Sequence, residues 1–206
     1  MKPVQAQSIP TRIVHPQILY FGTPVVLLTT LNRNATTNIT PMSSAWALGN
    51  RIILGLGEGG QGLANLRHHG ECVVNLPGPE LWSQVEALAP FTGADPVPAS
   101  KQGVFRFQPD KFGAADLTPV PSCKVRPYRI AECPLQIEAQ LVDIRESGNH
   151  IRFGIVELES ITVHAHVEIV IDDSHINPLA WSPLIYNFRH YFGLGHELGK
   201  TFRAEI

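Results

Sequence analysis

The chain has few cysteines, no excess of basic residues and no long apolar segment, and each shortage excludes a class of protein. Its 206 residues include 16 Lys and Arg against 18 Asp and Glu, for a formal net charge of -2. Binding to nucleic-acid phosphates needs a basic surface, so we expect no nucleic-acid partner. No apolar run reaches the roughly 18 residues of a membrane-spanning helix. The strongest candidate, 163–171, is interrupted by His164, His166 and Glu168, so we expect no membrane partner.

The three cysteines, Cys72, Cys123 and Cys133, are an odd number and lack C-x-x-C spacing. They therefore predict reduced thiols rather than disulfides. Cys72 and Cys133 lie in apolar runs and are expected in the core. Residues 1–7 lack the apolar segment of a signal peptide. Together these features predict a cytoplasmic protein.

Short apolar runs rich in β-branched residues dominate the chain, and turn residues separate them. The segment 92–122 has little periodicity, but we expect Phe105, Phe107 and Phe112 to be buried in an ordered excursion. Strands outnumber helices without regular β–α alternation, which predicts a mainly β or α+β barrel with short peripheral helices, as one domain over 1–206. The predicted strands are 11–20, 25–31, 37–44, 51–56, 71–76, 128–145 and 151–163, and the predicted helices are 61–69 and 79–88.

A glycine-rich turn follows the predicted strand 51–56. Gly55, Gly57 and Gly60 match the G-x-G-x-x-G pattern of dinucleotide-binding domains. The helix after them is short, however, and no further β-α-β units follow, which disfavours a dinucleotide site. Two interpretations remain. The glycines form a tight strand-to-helix turn, or the same turn holds one phosphate monoester with its backbone N–H groups.

A series of further motifs runs along nearly the whole chain. They are 41–49 (PMSSAWALG), 63–66 (LANL), 70–77 (GECVVNLP), 114–119 (AADLTP), 129–139 (RIAECPLQIEA) and 191–195 (YFGLG). In order and spacing they resemble the flavin reductase-like FMN-binding proteins, a family related to NAD(P)H:flavin oxidoreductases and flavoredoxin. The resemblance implies an FMN-binding split β-barrel that forms a homodimer, with FMN near the subunit interface.

The resemblance also implies which residues hold the flavin, with FMN as cofactor and FAD as a possible substitute. The family often carries Ser and Thr where this chain has Gly60 and Gly62, so backbone N–H groups, Gln61 or Arg67 are expected to replace two hydroxyl contacts. The ring is expected to lie against Asn38, Thr40, Pro41, Met42, Ser43, Ser44 and Trp46, and the phosphate end against Gly59, Gly60, Gln61, Gly62 and Asn65. Core packing explains Trp46 at least as well as stacking on the flavin ring does.

The activity implied is an oxidoreductase reaction in which NADH or NADPH reduces the flavin, which then serves an oxygenase or another acceptor. Two alternatives remain open: a flavoredoxin-like electron carrier, and a flavin-binding or storage protein without turnover. No Ser-His-Asp order or paired-carboxylate pattern stands out. Hydride transfer through a flavin needs neither, because the protein supplies alignment and a dry cleft. We therefore expect no catalytic side chain.

Two further clusters have competing interpretations. Near the C-terminal end, Phe188, Tyr191 and Phe192 fit one face of a short helix. This region is expected either to pack in the core or dimer, or to approach the ligand through Arg189 and Tyr191. His164 and His166 share one face of a strand, and with His150 and His175 a metal site is conceivable. A solvated or core-lining pair is the commoner case, so no metal site is expected.

Overall fold

Strands are the main regular element of the computed structural model, which describes residues 9–148 and 152–201. The helices are α1 (Gln61–His69), α2 (Trp82–Leu88) and α3 (Lys111–Ala114), with 3₁₀ turns at Pro79–Leu81, Ala99–Lys101 and Val167–Ile169. No helix among the described residues is long and apolar enough to cross a membrane. The strands are β1 (Phe21–Pro24), β2 (Val26–Leu31), β3 (Thr37–Met42), β4 (Ala45–Leu48), β5 (Arg51–Gly57), β6 (Glu71–Leu76), β7 (Phe91–Thr92), β8 (Arg106–Phe107), β9 (Pro119–Val120), β10 (Arg129–Ile130), β11 (Leu135–Ser147), β12 (Phe153–Ala165), β13 (Val170–Asp172), β14 (His175–Ile176), β15 (Ile185–Asn187) and β16 (His190–Phe192).

The main sheet contains seven antiparallel strands in the order β3-β2-β6-β11-β12-β5-β4. Strands β3 and β4 therefore form its edges, and the long hairpin of β11 and β12 lies near its centre. Helix α1 begins after Gly60 and ends at Gly70, whose φ of 68° places it in the left-handed conformation that ends many helices. The predicted helix 61–69 and the predicted strands 25–31, 37–44, 51–56 and 71–76 are confirmed.

The hydrophobic core lies on both sides of this sheet, and β2 contributes to both halves. Leu27 belongs to a cluster that also holds helix α2, whereas Val26 and Leu28 belong to a second cluster with helix α1. Successive side chains of a strand point to opposite faces. All six residues of β2 are buried, including Thr29 and Thr30, so the strand is covered on both faces, as its uninterrupted run of apolar and β-branched residues predicts.

Several predicted elements were wrong or missing. Residues 11–20 form no strand, and the first strand begins at Phe21. Strand β4 was not predicted. Its four residues directly follow Ser43 and Ser44 with no turn residue between them, and only their pairing with β5 identifies them as a strand. The predicted strand 128–145 is divided into β10 and β11. Phe112 is buried, but Phe105 and Phe107 are 36% and 40% exposed.

The predicted helix near residues 188–192 is a β-hairpin. Strands β15 and β16 pair through a two-residue turn in which Phe188 and Arg189 have φ of 44° and 69°. Two positive φ values describe the turn type whose twist matches that of antiparallel strands. Neither residue is one of the Asn or Gly residues that usually signal this turn. The prediction therefore followed the spacing of the aromatic residues, which is that of a helix.

Asn75 connects three elements from a fully buried position on β6. Its Nδ2 donates to the carbonyl of Leu27 at 2.8 Å, and its Oδ1 accepts from the backbone N–H of Ile130 at 3.0 Å. The amide thereby joins β6 to β2 and to β10. Because these groups are out of reach of water, each lost partner leaves an unsatisfied buried polar atom.

Replacing Asn75 with Ala is expected to destabilise the fold by about 2–4 kcal/mol, since two buried backbone groups lose their partner. Equilibrium urea unfolding followed by circular dichroism measures the change. Asn50 is the matched control, because its amide donates to Glu159 on the exposed surface. Asn50→Ala should cost no more than about 0.5 kcal/mol. Equal losses in the two variants would contradict the bridging role of Asn75.

Candidate functional site

A cleft opens where the end of β3 faces the beginning of helix α1. It consists of two adjoining cavities of about 360 and 280 Å³. Both are lined by Tyr20, Thr40, Pro41, Met42, Ser43, Gly60 and Lys101. The larger cavity also borders helix α2, the excursion 92–122 and the C-terminal hairpin, and the smaller one borders the turn after β5.

One wall of the cleft is the end of β3. This strand is at the edge of the sheet, so a proline is tolerated there because no neighbour needs its missing N–H. Thr40, Pro41 and Met42 end the strand, and Ser43 follows. An edge strand leaves backbone N–H and C=O groups unpaired on its outer side. This wall therefore offers both apolar surface and main-chain hydrogen-bonding groups.

The opposite wall is the beginning of helix α1. Gly59 has φ of 73°, which allows the chain to turn sharply before the helix. A Cβ on Gly62 would lie 2.8 Å from the Thr40 Oγ1, so the helix approaches β3 more closely than a side chain would allow. Among the described residues no side chain caps this helix end, and its first turn carries no acidic residue. The first N–H groups of the helix thus remain available to an anion.

Two lysines add positive charge to the cleft. Lys111 is buried, and its Nζ donates to the carbonyl of Ile39 at 2.7 Å. Burial, together with the nearby charge of Lys101, lowers the pKa of Lys111 to about 8. Burial also lowers the pKa of Lys101, which lies within 5.7 Å of the Phe105 ring centroid. Two ammonium groups and a free helix N-terminus favour an anionic ligand.

Three tyrosines form an aromatic wall at the wider end. The rings of Tyr20 and Tyr186 are 5.4 Å apart edge to face, and those of Tyr186 and Tyr191 are 5.6 Å apart. The Tyr20 hydroxyl is 2.7 Å from the Ser44 Oγ. The Tyr191 hydroxyl donates to Glu86 at 3.0 Å, and burial followed by this carboxylate raises the pKa of Tyr191. These contacts fix the C-terminal hairpin against helix α2.

The structure brings most of the sequence-predicted site residues together. Those that line the cleft are Thr40, Pro41, Met42, Ser43, Ser44, Gly60, Gln61, Gly62 and Tyr191. Two others lie directly behind the lining: Asn38 donates to Thr40 Oγ1, and Asn65 accepts from Gln61.

Three predicted site residues lie apart from the lining. Trp46 is 58% exposed on β4, so the core-packing interpretation of Trp46 was wrong. Arg189 lies exposed in the β15–β16 turn, and Gly59 shapes the turn before α1. Arg67, considered as a phosphate contact, instead pairs with Glu58 and Glu146. Its hydrogen bond holds the pKa of Glu58 below the usual range.

Sequence reasoning missed Lys101, Lys111, Phe91 and Tyr20 as lining residues. Both lysines belong to the excursion 92–122, which shows no periodicity that would orient a side chain. A lysine between Asp110 and Phe112 gives no signal of burial by itself. Only the packing of α3 against β3 brings Lys111 beneath the cleft.

Comparisons with known proteins agree with this fold. The family model of the flavin reductase like domain matches residues 18–195. The uncharacterized protein YdfE of Bacillus subtilis (strain 168) is 53% identical over 193 residues, which is 93% of each chain.

Solved structures share the architecture at low sequence identity. Flavoredoxin of Desulfovibrio vulgaris (Miyazaki F) is similar with a TM-score of 0.76 and 21% identity, over 95% of this chain and 99% of that one. Nitrilotriacetate monooxygenase component B of Bacillus cereus has a TM-score of 0.70 and 17% identity, over 90% of each chain. A split-barrel protein of Shewanella frigidimarina NCIMB 400 has a TM-score of 0.72 and 18% identity, over 89% of this chain and 87% of that one. The mainly β split-barrel prediction is confirmed, and the chain belongs to the flavin reductase-like family.

Proposed function

We propose that this protein binds FMN in the cleft between β3 and helix α1 and catalyses the reduction of flavin by NADH or NADPH. The observation that carries the proposal is the convergence of three features on one cleft: the outer edge of β3, the free N-terminus of α1, and the two lysines Lys101 and Lys111. The larger cavity, about 360 Å³, lies within the range of small-molecule sites, roughly 300–1,000 Å³, and the smaller one, about 280 Å³, lies just below it.

The phosphate end of FMN fits the beginning of helix α1. A phosphate monoester carries a charge near −2 and favours N–H donors at a helix N-terminus. Lys101 lies beside this turn, because its Nζ is 4.0 Å from the position of a Cβ on Gly60. The Thr40 hydroxyl faces Gly62 from the other side. These two groups are suited to replace the hydroxyl contacts that Gly60 and Gly62 lack.

The flavin ring fits the wall formed by Pro41, Met42 and Ser43. A flat heteroaromatic ring needs apolar surface on its faces and hydrogen-bonding groups along its polar edge. The edge strand β3 offers both, and the tyrosine wall borders the same cavity. FAD remains a possible substitute for FMN.

The residues of the chain bind and orient rather than transfer protons in this proposal. FMN, when bound, supplies the ability to accept hydride from a reduced nicotinamide and to pass electrons to an acceptor. The close approach of α1 to β3 limits water in the narrow part of the cleft. Lys101 and Lys111 stabilise negative charge there. No acid–base pair is required.

The alternative functions share flavin binding and differ in the fate of the bound flavin. The likeness to flavoredoxin favours an electron carrier, and the likeness to a monooxygenase component favours a reductase that serves an oxygenase. A flavin-binding protein without turnover is the third possibility. All three use the same cleft, and the response to a reduced nicotinamide distinguishes the reductase from the other two.

A homodimer is part of the proposal. Trp46 and Leu48 on the edge strand β4 are 58% and 75% exposed, which is unusual for large apolar side chains next to a ligand-binding face. A second copy that covers this edge would remove them from water. The chain mass of 22.7 kDa should then double at sedimentation equilibrium, and a single-chain mass would contradict the dimer.

The first test is the absorbance spectrum of the purified protein, followed by anaerobic addition of NADH and then NADPH to the same sample. We expect flavin bands that bleach rapidly with one of the two nucleotides. Flavin bands that resist both nucleotides would favour the carrier or the storage protein. A colourless protein that neither FMN nor FAD reconstitutes would contradict flavin binding.

The placement of the phosphate end predicts that a bulky residue at Gly60 or Gly62 abolishes FMN retention. Gly62→Val pushes α1 away from Thr40 and blocks the cleft. Gly195→Val is the control, because a Cβ there meets no atom within 4 Å. Flavin content per chain after gel filtration is the measurement. Unchanged content in Gly62→Val, with the fold retained, would contradict this placement.

FMN binding should weaken as the pH rises through about 8, the pKa of Lys111 in the free protein. A bound anion stabilises the protonated form of Lys111. Above its pKa, Lys111 is mostly neutral in the free protein, so FMN binding is accompanied by the uptake of a proton by this side chain. The second phosphate pKa is about 6, which keeps the charge of FMN constant over this range. One linked proton corresponds to at most about tenfold in affinity per pH unit.

Fluorescence titrations of FMN at pH 7, 8 and 9 measure this dependence. Lys111→Met, which lacks the titrating group, should show a flatter profile. The same slope in both proteins would exclude Lys111 as its source.

A further inference from the structure

A second group of reactive side chains lies outside the cleft. Cys123, Glu138 and His164 place one ligand atom each within 4.8 Å of the others. None of them lines either cavity. Their residue types, a thiol, a carboxylate and an imidazole, are the usual ligands of zinc. They are brought together from positions 15 and 26 residues apart along the chain.

The long hairpin of β11 and β12 supplies two of the three groups. Glu138 on β11 lies diagonally across the pair from His164 on β12, which is opposite Gln136, and His164 Nε2 is 2.7 Å from Glu138 Oε1. The loop that follows β9 carries Cys123 over this position, and its backbone N–H donates to the same carboxylate oxygen at 2.7 Å. Two strands and one loop therefore converge on the three side chains.

Glu138 is fixed by hydrogen bonds at both carboxylate oxygens, although its side chain is completely buried. Its Oε1 accepts from the backbone N–H of Cys123 and lies 2.7 Å from His164 Nε2. Its Oε2 accepts from the backbone N–H groups of Lys124 at 2.6 Å and Val125 at 3.1 Å. A carboxylate fixed in this way next to an imidazole and a thiol is a preorganised ligand set.

We propose that Cys123, Glu138 and His164 form a binding site for Zn²⁺ or a cation of similar softness. The cation takes the position between His164 Nε2 and Glu138 Oε1, where a proton now joins the two atoms. The ring proton of His164 then resides on Nδ1, which leaves the Nε2 lone pair for the metal. The Cys123 thiol binds as the thiolate and releases one proton to solvent. Solvent supplies the fourth ligand of a tetrahedral site.

Access to the site comes from the side of Cys123. Its side chain is exposed, whereas Cys72 and Cys133 are buried. His164 is 22% exposed at its side chain, so the ring is reachable from solvent. A metal bound here would join the 121–128 loop to the hairpin. Backbone N–H groups of this loop already donate to Glu138 at the same place.

His166 provides a matched control one residue beyond the end of the same strand. It follows His164 by two residues, but its Nε2 is 2.8 Å from the carbonyl of Ala131. Its Nδ1 is 3.4 Å from Glu168, on the exposed surface. The H-x-H pattern thus contains one histidine in the cluster and one that is already committed elsewhere.

The test is titration of the full-length, reduced protein with Zn²⁺ in competition with an indicator dye, and with Co²⁺ as a spectroscopic probe. We expect one equivalent per chain, a thiolate-to-cobalt absorption band, and protection of Cys123 from a thiol reagent. Cys123→Ser and His164→Gln should each lower zinc affinity by at least about tenfold, while His166→Gln should leave it unchanged. Both substituted side chains reach the surface, and circular dichroism checks that each variant is folded.

Three results would overturn the proposal. They are no zinc binding in competition with the dye, binding that persists in both Cys123→Ser and His164→Gln, and an equal loss in His166→Gln. The last would assign the metal to the surface pair of His166 and Glu168. Because none of these readouts involves flavin, failure here is distinguishable from failure of the proposed FMN site.

Discussion

The burial of strand β2 on both faces is the constraint on which the rest of the molecule depends. Its apolar side chains alternate between two clusters, one closed by helix α2 and the other by helix α1. A strand in this position needs a neighbour on each side to satisfy its backbone groups. Strands β3 and β6 provide them. With β2 paired in this way, β3 lies at the edge of the sheet and α1 packs against the same sheet. The cleft forms between these two elements.

Buried polar groups then determine how the connecting segments attach to this core. Asn75, Glu138 and Lys111 are buried, and each makes hydrogen bonds to backbone atoms of a distant segment. A buried polar group without a partner is costly, so each of these contacts specifies one arrangement of its loop. Lys111 differs from the other two in keeping a cationic group next to the cleft. The residue that fastens α3 to β3 also contributes to the charge of the candidate site.

The proposed flavin site and the proposed metal site use different parts of the sheet. The first lies at the edge strand β3, where unpaired backbone groups and a helix N-terminus are available to a ligand. The second lies over the central hairpin, where side chains of β11 and β12 meet a loop. Neither depends on the other for its residues. The proposed metal site is therefore independent of the proposed flavin site.

Local pattern alone predicted the strands 25–31, 37–44, 51–56 and 71–76 and the helix 61–69, which the structure confirms to within two residues at each end. Each has an apolar run or helical spacing bounded by glycine, proline or polar turn residues. The order of motifs also indicated the family, and with it nine of the residues that line the cleft. The hairpin at 185–192 was not predictable in this way, because aromatic residues spaced for a helix form strands when a sheet partner is available.

Only the tertiary structure decided where Lys101, Lys111 and the three tyrosines lie, and which histidine of the H-x-H pair meets Glu138 and Cys123. Several of these contacts join distant segments: Lys111 and Ile39 are 72 residues apart, and Tyr20 and Tyr186 are 166 apart. Nothing in the spacing of nearby residues encodes such distances. Sequence periodicity indicates which face of an element is buried. Which other element packs against that face depends on the packing of the whole chain.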